Sequence, residues 1–144
     1  MKTVLYLNSD NTVSVIYPSV GVSDSKLISF VPVGLSYLLV EDTDLPPAED
    51  MGRFISALTA DFDSPTQPNI RIDLTKAKEL VKNDIRQYRQ SKFAINDLAI
   101  RDAMLADDKE QLATAIKERD RLRNLPNIVN RARSLEDLKS LKIE

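Results

Sequence analysis

The chain has 144 residues, 42% of them hydrophobic and 29% charged, enough to bury a core and far from the composition of a disordered polymer. It contains neither cysteine nor histidine, which removes disulfides, zinc–thiolate sites, thiol nucleophiles and imidazole bases, and with them most routes to catalysis. The net charge of −2 hides an asymmetry: Met1–Asp73 holds four basic and ten acidic residues, net −6, and Leu74–Glu144 holds sixteen and twelve, net +4.

In chain order, Thr3–Leu7 and Thr12–Tyr17 are β-branched and aromatic runs around the polar turn Asn8-Ser9-Asp10-Asn11, which predicts a β-hairpin closed by Pro18. Val13, Val15 and Tyr17 share one face at period two. Ser25–Ile28 can open a short helix, and Leu35–Val40 reads as a third strand ended by Glu41-Asp42-Thr43-Asp44 and Pro46-Pro47. Phe54, Leu58 and Phe62, spaced by four with Ile55 beside them, predict a helical stripe packed on the sheet. Asp63–Asn69, with Pro65 and Pro68, reads as a linker, placing a boundary between a β-rich head, residues 1–69, and a helical part, residues 70–144.

Past that point the periodicity changes. Asp73 or Thr75 can cap a helix that nothing interrupts from Thr75 to Leu105, a rod of roughly 45 Å. Leu74, Ala77, Val81, Tyr88, Ile95, Leu98 and Leu105 follow alternating three- and four-residue steps, with Asp84, Ser91 and Asp102 filling the places that should also be apolar. Ile85, Phe93 and Ile100 lie off this stripe, more apolar surface than one two-helix seam covers. Asp107 or Asp108 can cap a second helix carrying Leu112, Ala115, Ile116 and Leu122, and the short connection predicts an antiparallel α-hairpin that Pro126 ends. Ser134 followed by Asp137 resembles a capping box for a short last helix. The fold class expected is therefore α+β: a hairpin plus third strand, then a long α-hairpin and a short C-terminal helix.

Chemical motifs are sparse. Gly21, Gly34 and Gly52 are isolated, so no phosphate-cradling loop exists, and Asp42-Thr43-Asp44 and Asp107-Asp108 lack the glycine and distant Glu of a calcium loop. No catalytic, cofactor or metal residues are assigned. Basic segments at Arg86–Lys92 and Arg119–Arg123, with Arg131 and Arg133, make weak nucleic-acid binding one alternative, diluted by Asp84, Asp97, Glu118 and Asp120. No apolar run is long enough to span a bilayer and Met1–Leu7 lacks a secretory core, so no membrane association and a cytoplasmic site of folding are expected.

One resemblance follows from the order of the parts. The N-terminal hairpin, Val31-Pro32-Val33-Gly34-Leu35-Ser36-Tyr37-Leu38-Leu39-Val40 running into Asp44-Leu45-Pro46, Phe54 with Ala57, Ile72-Asp73-Leu74-Thr75-Lys76-Ala77-Lys78-Glu79, Asp84-Ile85-Arg86 with Arg89, and Leu122-Arg123-Asn124-Leu125-Pro126 with Ser134-Leu135-Glu136-Asp137-Leu138-Lys139 resemble small tailed-bacteriophage proteins described as tail-fibre assembly chaperones or tail-associated structural proteins. It covers nearly the whole chain, with two departures: no tryptophan follows Ala57, and the second helix is unusually charged. The resemblance implies a phage tail or tail-fibre protein as partner, acting by contact in the host cytoplasm during assembly or within the virion. With the apolar stripes it leads to a non-enzymatic contact protein, expected to be a homo-oligomer. Val81, Ile85, Tyr88, Ile95 and Leu98, with Leu112 and Ile116 opposite, are the candidate interface residues, and an intramolecular hairpin core is the competing role for them.

Overall fold

The computed structural model describes residues 1–143. Contacts divide the chain into two compact units, Met1–Ala77 and Lys78–Glu144, so the division falls inside the long helix and after the boundary expected at residue 69.

In the first unit, β1 (Lys2–Leu7) is flanked antiparallel by β2 (Val13–Ile16) and β3 (Tyr37–Glu41), giving the order β2-β1-β3. Leu5 stands opposite Val15 on one side and Leu38 on the other, so apolar residues of all three strands share a face. The β1–β2 turn closes with Asn8 accepting from the amide of Asn11 at 3.0 Å, while the carboxylate of Asp10 accepts from the Thr12 amide at 3.0 Å. Asn11 sits at φ 63°, a left-handed position that asparagine tolerates. Tyr17 lies beyond the end of β2 and is 56% exposed, so it does not extend the Val13–Val15 face as its period suggested; Pro18 leaves it no ladder to join.

A short helix α1 (Asp24–Ile28) packs on β1, its first turn capped by Ser23, which accepts from the Lys26 amide. Its one buried residue is Leu27, and Val4 on β1 is likewise fully buried. The core on the Leu5 face gathers Leu5, Val13, Leu38, Val40, Met51 and Leu58, with Leu7, Val15, Leu45, Phe62, Ile70 and Ile72 partly buried against it.

The expected helical stripe Phe54–Leu58–Phe62 does not form. Helix α2 (Ala48–Phe54) stops where Phe54 turns to φ −119°, ψ 23°; a single tight turn follows, and Leu58 enters strand β4 (Leu58–Thr59), which pairs antiparallel with β5 (Arg71–Ile72). Phe54 is 1% exposed and Ile55 40%, so the chain buries its large residues by bending rather than by continuing the helix. The proline-rich stretch read as a linker is the loop of this β4–β5 hairpin, pinned by the Asp61 amide donating to the Pro68 carbonyl at 2.6 Å.

Asp73 then starts the long helix α3 (Leu74–Leu105): its amide donates to the Ala57 carbonyl at 2.8 Å and its carboxylate accepts from the Lys76 amide at 2.8 Å. In the second unit α3 is followed by α4 (Lys109–Asn124), 3₁₀ turns over Leu125–Arg131 and α5 (Leu135–Lys139). Buried in this unit are Val81, Ile85, Ala103, Ala115, Leu122, Leu125, Val129, Ala132 and Leu138. The terminal cap forms as its sequence suggested, with the Ser134 hydroxyl accepting from the Asp137 amide at 3.1 Å and the Asp137 carboxylate accepting from the Arg133 amide at 2.7 Å. The architecture is thus a three-stranded antiparallel sheet at the N-terminus, then a packed pair of long helices and a short C-terminal helix.

Candidate interaction surface on the helical hairpin

Three residues, Ala106, Asp107 and Asp108, connect α3 to α4. Asp107 adopts φ 50°, its amide donates to the Met104 carbonyl, and the Asp108 amide reaches back to the Ala103 carbonyl at 3.0 Å, which is the hydrogen-bond pattern of a Schellman close. Asp108 serves at once as cap of α4, its carboxylate accepting from the amides of Glu110 at 3.1 Å and Gln111 at 3.0 Å.

Three contacts between the helices set an antiparallel register. The side-chain amide of Asn96 donates to the Ala115 carbonyl at 2.8 Å, Arg119 pairs with Asp97 at 3.4 Å, and Arg89 donates to the Arg123 carbonyl at 3.2 Å. Two small residues of the pair are buried, Ala103 at 1% and Ala115 at 7% exposed. Asn96, 5% exposed, leaves its Oδ1 without a hydrogen-bond partner among the described residues.

The hairpin has two distinct sides. One is a groove of about 740 Å³ whose lining includes Lys92, Ile95, Asn96, Ala99, Thr114 and Ala115, with carboxylates at Asp102, Asp108, Glu110 and Glu118. Arg121 donates two 2.8 Å hydrogen bonds to Glu118; this holds the Glu118 carboxyl below its ordinary value and raises the arginine in turn. The other side holds Phe93, Asp97, Ile100 and Met104 of α3 beside Leu112, Ile116 and Arg119 of α4, because these follow one helical stripe on each helix and the Asp97–Arg119 pair joins the stripes.

The structure separates the residues expected at an interface. Val81, 1% exposed, and Ile85, fully buried, belong to the interior of the chain and offer nothing to a partner, a correction to their expected role. Tyr88 is half-buried with the Lys92 ammonium 5.3 Å from its ring, and Leu112 is half-buried on the Ile116 side. Ile95 at 63%, Leu98 at 51% and Ile116 at 46% face solvent. Two further large apolar residues near the turn are exposed, Met104 at 64% and Leu105 at 80%. Leu105 stood on the expected stripe, whereas Met104 carries no pattern of its own and is found only by seeing which side α4 leaves open.

The basic residues of α4 are largely committed: Arg119 pairs with Asp97, Arg121 with Glu118 at 2.8 Å and Arg123 with Asp120 at 3.7 Å. Among the described residues no group of three acidic, histidine or cysteine side chains is placed to hold a metal ion, and no helix is long and apolar enough to cross a membrane. Compared with known protein families, curated proteins and solved structures, the chain matches none.

Proposed function

We propose that this chain is a non-enzymatic phage tail or tail-fibre assembly protein that works by protein–protein contact, in the manner of a chaperone. The observation that carries the contact reading is the set of large apolar side chains left in solvent on the hairpin, Ile95 on its groove side and Met104 and Ile116 on the other, with Leu98 and Leu105 also exposed, while the register of the two helices is pinned. Large apolar side chains held in water suit an interaction surface, since their exposure forgoes about 25 cal/mol for each Å² left unburied. The phage setting rests on the sequence resemblance, which runs from the first hairpin to the capping box at Ser134.

In this reading the β-rich unit is a folded head and the hairpin is the working end. It covers apolar helix or fibre surface on a tail-fibre polypeptide until that surface is buried in the finished assembly. A structural place in the tail, fibre or head–tail region of the virion is the alternative, and particle composition separates the two. The test is co-expression with the tail-fibre polypeptide encoded nearby, followed by purification and mass spectrometry of intact particles. A complex that forms in the extract, is lost in an Ile116→Asp variant of unchanged helicity, and is missing from particles supports the assembly role. Presence in particles at fixed copy number moves the assignment to a virion component, and absence of any complex overturns the reading.

A further inference from the structure

We draw no further inference here: the strongest candidate, the groove between α3 and α4 lined by Ile95, Asn96, Ala99 and Ala115, has its carboxylates Asp102, Asp108 and Glu118 already engaged by Arg101, by the cap of α4 and by Arg121, and nothing in the structure shows what covers it.

Discussion

Replacing Asn96 with leucine tests the physical account of the hairpin most directly. The side chain is 5% exposed; its amide donates to Ala115 at 2.8 Å, and its Oδ1 has no partner among the described residues. An orphaned buried carbonyl costs about 1–3 kcal/mol, and the bond to Ala115 returns about 1 kcal/mol, since that carbonyl sits within α4 and already accepts a helical hydrogen bond. Leucine has a similar branched shape, removes the orphan and loses only the weaker term, so Asn96→Leu should stabilise the chain by about 1 kcal/mol. This corresponds to a rise of about 3 °C in Tm. Urea unfolding followed by circular dichroism reads the change as a higher midpoint at unchanged slope. Asn96→Asp sharpens the test, because a buried carboxylate beside the Ala115 carbonyl should cost about 3 kcal/mol or more at neutral pH. Burial raises the pKa of that carboxyl, so the penalty should shrink as pH falls and the neutral acid donates to Ala115 instead. A midpoint that drops in Asn96→Leu by the equivalent of 1 kcal/mol or more would show that Oδ1 is satisfied in solution, and the reasoning would fail. The cost expected of the leucine variant lies in specificity: with the directional Asn96–Ala115 bond gone, amide exchange near the α3–α4 turn should quicken even as global stability rises.

Other perturbations follow from the same geometry. Asp108→Ala removes the acceptor for the Glu110 and Gln111 amides and should lower stability by about 1 kcal/mol, whereas Asp107→Gly relieves a non-glycine residue at φ 50° and should raise it by about 0.5 kcal/mol, both read by thermal melts. Phe54→Ala empties a site that is 1% exposed at the bend between α2 and β4 and should cost about 4 kcal/mol in urea unfolding. Arg121 keeps the Glu118 carboxyl below its ordinary value, so the pair stabilises the fold above the ordinary glutamate range and that contribution is lost as pH falls through the lowered value. Because both partners are about two-fifths exposed, the loss should be only about 0.3–0.5 kcal/mol, and Glu118→Gln should remove the pH dependence of that difference in an acid titration of Tm.

Local signals in the chain carried much of this fold. The polar turn at Asn8–Asn11, the cap at Ser134 and the unbroken run from Thr75 to Leu105 each depend on residues within a few positions of one another and formed where the sequence placed them, while the caps of the two long helices fell on one of two candidates each, Asp73 rather than Thr75 and Asp108 rather than Asp107. Ile95, Leu98 and Ile116 were legible as members of apolar stripes for the same reason, although the spacing did not say whether a stripe meets a neighbour or water.

What local spacing left open was which surface another element would cover. The run Phe54–Leu58–Phe62 obeys a helical period, yet Leu58 became a strand because Ile72 arrived across a proline-containing loop to pair with it, a non-local partner that no short window reveals. Along α3 the seam through Val81, Tyr88, Ile95 and Leu98 reads as one continuous stripe, but only the Val81 end is buried. A straight helix turns 3.6 residues at a time while the seam repeats every 3.5, so the stripe drifts round the helix, and Asn96 and Ala103 of α3 are buried in its place, with Asn96 reaching the Ala115 carbonyl of α4. Sequence periodicity thus determined that α3 has more apolar surface than one neighbour can cover; tertiary packing alone decided which part stays in water, because the spacing of a stripe does not say which side of it the next helix will take.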